Sequence, residues 1–323
     1  MGFFRTLAGL TAMFGVALAQ PAAAQLSPVT GFGSNPGNLR MWSYVPVALP
    51  ANAPLVVMMH GCGQTPQDVD VESGWIQMAD TYKFALVFPQ TTFSELSGIS
   101  FPCFRSYEAA HNRRGVGEVL SIKQMTDWML AHYPLDAKRV FATGFSSGAI
   151  ETGVMMASYP EVFAAGAIMS GHPYGCAVGY TQYVLCNVLG KSKTPQQWGD
   201  LVRSAYPGYH GPYPRVSIWH GTLDLVIRTS SAGELVKQWT NANGIDQTAD
   251  EVSLVNGYTR SVYANAAGQP RVEHYKLTGA GHAIQVNTTG PYLPKCGSIG
   301  GVATQPSLIC SVFYAAKWFG IAP

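Results

Sequence analysis

Charge is scarce in this chain: Asp, Glu, Lys and Arg make up 12% of its 323 residues, and the formal net charge is +2. With no basic stripe, electrostatic capture of nucleic acid is excluded as a main function. There is no internal repeat and no low-complexity linker, which argues against a solenoid or a string of modules. No CxxC pair and no Cys/His cluster has zinc spacing, so no metal site is expected. No apolar run is long enough to cross a bilayer.

Apolar residues are abundant, at 47%, the composition of a globular protein with a large core. The length suits one large α/β unit. Arg5, the apolar stretch Leu7 to Ala19 and the small residues Ala22-Ala23-Ala24 read as a secretory leader. Cleavage is expected after Ala24, with Ala19 as the second choice, leaving one catalytic domain over 25–323. The cysteines are Cys62, Cys103, Cys176, Cys186, Cys296 and Cys310. An even count in an exported chain points to three disulfides, and spacing alone leaves their pairing open.

Short apolar runs alternate with helical patterns. Strands are expected at Leu39–Pro46, Pro54–Met59, Ala85–Phe88, Arg139–Thr143, Ala164–Met169, Arg215–Trp219 and Glu273–Leu277. Helices are expected at Ser73–Tyr82, Val116–His132, Ala149–Ala157, Ser231–Asn241 and Ser307–Phe319, with a short one near Pro195–Trp198. Gln90–Arg114 and Tyr174–Pro214 read as long irregular excursions. The alternation implies a mostly parallel, doubly wound sheet, whose ligands sit beyond the carboxyl ends of the strands.

Four motifs fall at those ends. Gly144-Phe145-Ser146-Ser147-Gly148 follows an apolar strand and precedes a helix, the pattern of a nucleophile elbow. Its glycines fit a turn that crowds the backbone. A serine hydroxyl needs a base, and the base a third group to fix its tautomer. The acid is assigned to Asp224 in His220-Gly221-Thr222-Leu223-Asp224, and the base to His282 in Gly279-Ala280-Gly281-His282. Asp246 and Asp250 have no strand leading into them, and His220 precedes the acid and fits a structural role better. The oxyanion donors are assigned to Ser147 N–H and to the turn His60-Gly61-Cys62, through Gly61 and Cys62. Phe104, Tyr107 and Tyr174 are assigned to a substrate cleft, while Trp75 and Trp198 fit the core better.

Together, Leu55 to Gln64, Gly117 to Ile122, Arg139 to Gly148, Tyr159 to Ala167, Trp219-His220-Gly221-Thr222-x-Asp224 and Gly281-His282 resemble the poly(3-hydroxybutyrate) depolymerase family of esterases. That family is related to carbohydrate esterase family one, which includes acetylxylan and feruloyl esterases. The resemblance runs from about Met41 to the C-terminus. It implies an α/β-hydrolase fold, the triad Ser146, Asp224 and His282, and a disulfide between Cys62 and Cys103. The remaining pairs are then most simply Cys176–Cys186 and Cys296–Cys310. The chain departs from the family at Cys103-Phe104-Arg105-Ser106, where Cys-Trp-x-Trp is common, and at Ala283-Ile284-Gln285-Val286, where a Trp often follows the histidine. Depolymerases of this kind usually carry a polymer-binding domain after the catalytic one. This sequence ends at Pro323, which sets an expectation of weak attack on crystalline polymer.

The expected protein is a secreted, monomeric serine esterase that needs no cofactor. Its partner is a polymeric or oligomeric ester, not nucleic acid or a membrane. The first substrate is a hydroxyalkanoate polyester, and the alternative is an acetyl or feruloyl decoration on plant polysaccharide. A non-catalytic binding module on the same scaffold is the distant third.

Overall fold

A computed structural model describes residues 24–92, 95–96, 99–100, 103–301 and 303–323. Apart from Ala24, the expected leader lies outside the described residues.

Strands β1 (Ser27–Val29), β2 (Arg40–Tyr44), β3 (Ala53–Met59) and β4 (Ala85–Gln90) open the chain, with helices α1 (Pro66–Ser73) and α2 (Trp75–Tyr82) between the last two. A short hairpin, β5 (Glu95–Leu96) and β6 (Ile99–Ser100), precedes α3 (Gly117–His132), β7 (Leu135–Phe145), α4 (Ser147–Ser158) and β8 (Ala165–Met169). Helices α5 (Tyr180–Leu189) and α6 (Pro195–Ala205) lead to β9 (Arg215–Gly221) and α7 (Ser230–Ala242). Strands β10 (Glu251–Val255), β11 (Tyr258–Ala264) and β12 (Pro270–Leu277), then β13 (Ile284–Val286), β14 (Thr304–Pro306) and α8 (Ser311–Trp318), complete it.

Among the described residues, one sheet has the order β1-β2-β4-β3-β7-β8-β9-β12-β11-β10. Its centre, from β4 to β12, is parallel, and the outer strands are antiparallel. Every residue of β3 is buried, as expected of a strand covered on both faces. Its side chains alternate between two cores. Leu55, Val57 and Met59 join residues of α3, α4 and α7, while Val56 and Met58 join residues of α2 and α8. This is the mostly parallel, doubly wound sheet that the alternation of elements predicts, and the α/β-hydrolase arrangement that the resemblance implies. Trp75 and Trp198 are fully buried, as expected.

Four expectations need correction. The helix expected at Ser73–Tyr82 is two helices broken at Gly74, whose φ of 86° fits glycine best; a Thr65–Asp68 capping box and Pro66 start the first. The Tyr174–Pro214 excursion holds two helices, α5 and α6. Glu273–Leu277, expected as the last strand, lies in β12 and is followed by β13 and β14, which form a separate two-stranded sheet, while the unexpected antiparallel hairpin β10–β11 precedes it and widens the main sheet at its edge. The closing helix begins at Ser311 rather than Ser307.

Candidate active site

The elbow follows from steric crowding. β7 runs into α4 through Ser146, whose backbone has φ 55° and ψ −118°, a strained conformation for a residue with a Cβ. A side chain on Gly148 would overlap Met59 O, and one on Gly144 would overlap Gly148 O, so the turn requires both glycines. Ser146 N–H donates to Met169 O of β8 at 3.0 Å, tying the strained residue to the sheet.

The loops after β9 and β12 are joined by backbone bonds. Thr222 N–H donates to Leu277 O at 3.0 Å and Leu223 N–H to Ala280 O at 2.9 Å. A Cβ on Gly221 would overlap Ala280 O and Gly281 O, so glycine lets the loops touch. The contact carries Asp224 to His282. His282 Nδ1 lies 2.8 Å from Asp224 Oδ2, and His282 Nε2 lies 2.8 Å from Ser146 Oγ. Asp224 Oδ1 accepts from Val226 N–H at 2.9 Å and Ile227 N–H at 2.8 Å. Burial pushes the Asp224 carboxyl up, but bonds from His282 and Ile227 and the nearby imidazoles outweigh it, so its pKa is lowered. The arrangement can transfer a proton from serine to histidine while a fixed carboxylate orients the ring.

The oxyanion turn differs from expectation at Gly61. Its N–H donates to Gln64 Oε1 at 2.7 Å, so it is already committed. Gln64 is buried, and its Nε2 donates to Glu72 Oε2 at 3.1 Å. Cys62 and Ser147 are left as candidate donors, and Ser147 opens α4, where backbone N–H groups lack an intrahelical acceptor. His60 braces the same turn. Its Nε2 accepts from Thr91 N–H at 3.2 Å and its Nδ1 lies 2.7 Å from Gly61 O. Burial lowers its pKa to about 4, keeping the ring neutral.

The cleft assignment is corrected for two of its three residues. Phe104 is fully buried with its ring 5.0 Å from that of His60, and its N–H donates to Ser147 Oγ at 2.8 Å. Tyr107 is buried with its ring 4.8 Å from that of Tyr183. Phe104 braces the site from behind, Tyr107 belongs to a separate small core with Tyr183 and Trp198, and Tyr174 alone stays half-buried. The structure pairs Cys62 with Cys103, Cys176 with Cys186 and Cys296 with Cys310, as the resemblance implies. The first pair ties the oxyanion turn to the loop that carries Phe104.

Sequence reasoning missed Gln64, whose role depends on a loop contact without periodicity. It also missed an apolar rim. Leu223, Leu225 and Val226 stand exposed around Asp224, with Leu225 94% exposed. Leu185, Val188 and Leu189 of α5 are exposed beside them, and Arg228 N–H donates to Asn187 O at 2.7 Å to join the two segments.

Fold and homology together define an ester hydrolase of the α/β-hydrolase class. The model of the family Esterase PHB depolymerase matches residues 41–262, and the chain belongs to that family. It is 44% identical over 306 residues, 95% of its length and 72% of the relative's, to poly(3-hydroxyalkanoate) depolymerase C of Paucimonas lemoignei. It is 35% identical over 277 residues to feruloyl esterase B of Talaromyces funiculosus, covering 83% of this chain and 75% of that one. Among solved structures, acetyl xylan esterase from Aspergillus awamori superposes with a TM-score of 0.75 at 29% identity, covering 92% of this chain and all of that one.

Proposed function

We propose that the protein is an exported serine esterase that cleaves a hydroxyalkanoate polyester or its oligomers. The reading rests on His282 bridging Ser146 and Asp224 with two 2.8 Å contacts. His282 Nε2 takes the Ser146 proton as Oγ attacks the ester carbonyl. Ser147 and Cys62 N–H groups hold the tetrahedral oxyanion. The C–O bond to the alcohol then breaks, and the alcohol leaves with the proton from His282. Water, deprotonated by the same imidazole, frees the acid and restores Ser146. Three disulfides support export.

The relative named as a poly(3-hydroxyalkanoate) depolymerase supports a polyester substrate, as does the uncharged apolar rim beside the triad acid. The match to an acetyl xylan esterase structure favours polysaccharide acetyl esters as the second reading.

The test compares clearing of a poly(3-hydroxybutyrate) suspension with acetate release from acetylated xylan, using p-nitrophenyl butyrate turnover as the activity control. Clearing is expected, and Ser146→Ala should reduce small-ester turnover by roughly 10⁴-fold or more. Xylan deacetylation without clearing would overturn the polyester reading. Near-native turnover by Ser146→Ala would overturn the mechanism.

A further inference from the structure

The strand pair that carries the triad acid has a second polar group, under α7. His220 of β9 is the register partner of Lys276 of β12, and Ile218 that of His274. Side chains alternate along strands, so His220, His274 and Lys276 share one face of the sheet. With Arg228, Thr222 and Ser230 they line a cavity of about 330 Å³ at the start of α7, and no carboxylate is among the residues lining it. Helix N-termini carry partial positive charge, so cationic groups and a helix dipole converge there.

His220 supplies the independent observation. Its side chain is 2% exposed. Nε2 lies 3.0 Å from Ile227 O, which can only accept, so Nε2 carries the ring hydrogen. Nδ1 is then a bare acceptor, buried and without a partner among the described residues. Burial lowers the pKa of this imidazole, outweighing Ile227 O and Asp224, which favour the charged ring, so the ring stays neutral. A buried unpaired acceptor calls for a donor. The cations beside it call for an anion.

We propose that this cavity binds a small hydroxy-carboxylate, with its carboxylate on Arg228 and Lys276 at the start of α7 and its hydroxyl donating to His220 Nδ1. Identifying that acid as a product of polyester cleavage rests on the function proposed above; the chemistry of the site does not. Binding reaches the triad through one ring. His220 Nε2 also lies 3.4 Å from Asp224 Oδ2, the oxygen that faces His282 Nδ1. A hydroxyl donated to Nδ1 polarises the imidazole and strengthens Nε2–H as a donor. That draws Asp224 Oδ2 toward His220 and weakens its hold on His282. The bound acid therefore lowers kcat instead of competing with the ester.

The test is steady-state hydrolysis of p-nitrophenyl butyrate with increasing 3-hydroxybutyrate, for wild type and for the Arg228→Ala, Lys276→Ala double variant. Each enzyme is referred to its own uninhibited rate, so any change in basal activity divides out. In wild type, kcat should fall saturably with KM little changed. The double variant should need at least about 100-fold more acid, as expected for loss of two charge-assisted contacts. Butyrate, which lacks the hydroxyl, should act about tenfold more weakly than 3-hydroxybutyrate. Calorimetric titration of Ser146→Ala with the same acid should show a site that the double substitution abolishes. Inhibition that raises KM alone and is equal in both enzymes would overturn the proposal, because the acid would then sit only at Ser146. A kcat effect without polymer clearing sinks the substrate reading and leaves the site standing; clearing with neither kcat effect nor binding sinks the site.

Discussion

At the scale of single residues, Asp224 shows how fully the position of the proposed triad acid is determined. Two backbone N–H groups fix Oδ1, so only Oδ2 can face His282. In Asp224→Asn the amide oxygen stays on Val226 and Ile227 and the NH₂ group turns toward His282 Nδ1. That stabilises the tautomer with its hydrogen on Nε2, which cannot accept the serine proton. The expected result is a fall in kcat of roughly 10⁴-fold, by analogy with the same change in a serine protease. KM and the circular dichroism spectrum should change little. A fall below about tenfold would mean that Asp224 is not the orienting acid. Both His282 and Asp224 were legible in the sequence because each lies in a short loop a few residues after a strand, close behind a glycine. Gln64 was not: its contacts with Gly61 and Glu72 arise inside a loop and its helix, where no period marks them.

At the scale of elements, the helices behind the elbow carry two carboxyl groups in the core. Glu151 of α4 is fully buried, and neither of its oxygens has a partner among the described residues. Burial, helped by the nearby Glu118, raises its pKa well above the usual range, so it stays protonated. Glu118 of α3 accepts from Arg105 N–H at 2.6 Å, which anchors the loop after the Cys62–Cys103 disulfide. Burial pushes its pKa up to about 7, against the pull of the Arg105 N–H and guanidinium. From about pH 4.3 to 7 the folded state thus holds a proton that the unfolded chain has released, so stability falls as pH rises through that window. Glu118→Gln keeps an acceptor for Arg105 and removes the titration. Its urea midpoint should decline less between pH 5 and pH 8 than that of the wild type, and an equal decline would refute the assignment. Glu151→Met replaces an unpartnered carboxyl with an apolar group of similar volume. It should stabilise the fold by about 1–3 kcal/mol in urea denaturation, and a destabilised variant would show that the carboxyl has an essential partner. Other elements were missed for identifiable reasons. The β10–β11 hairpin turns on Asn256-Gly257, both with positive φ, a strong hairpin signal that went unused because the flanking strands are largely polar or half-exposed. Helix α5 is apolar on its outer face as well as its inner one, so it lacks the polar stripe by which a surface helix is recognised.

At the scale of the whole molecule, that irregularity of α5 ceases to be an anomaly. A soluble chain normally places charge on an exposed helix, yet Tyr180–Leu189 has none, and Leu185, Val188 and Leu189 point outward. The loop beside it exposes Leu223, Leu225 and Val226; of its two charged residues, Asp224 is buried beside His282 and Arg228 stands exposed at the far end, next to α7. Apolar surface left in water and continuous with a reaction centre fits an uncharged aliphatic partner better than a hydroxyl-rich polysaccharide. A solid polyester is such a partner, because a chain end must be taken from a flat apolar surface before Ser146 can reach an ester. A soluble ester needs none of this rim, so the two activities should separate. Leu185→Ser, Leu189→Ser and Leu225→Ser combined remove three exposed side chains without touching either core. Burying one such side chain on a partner is worth roughly 1.5–3 kcal/mol, so losing three should weaken adsorption by at least about 100-fold even if each is only partly covered. Binding to polymer granules and clearing should collapse, while kcat/KM on p-nitrophenyl butyrate stays within about twofold, inside the range of surface substitutions. Parallel loss of both activities would place the rim in the catalytic machinery. Unchanged clearing would mean that the polymer approaches Ser146 from another side.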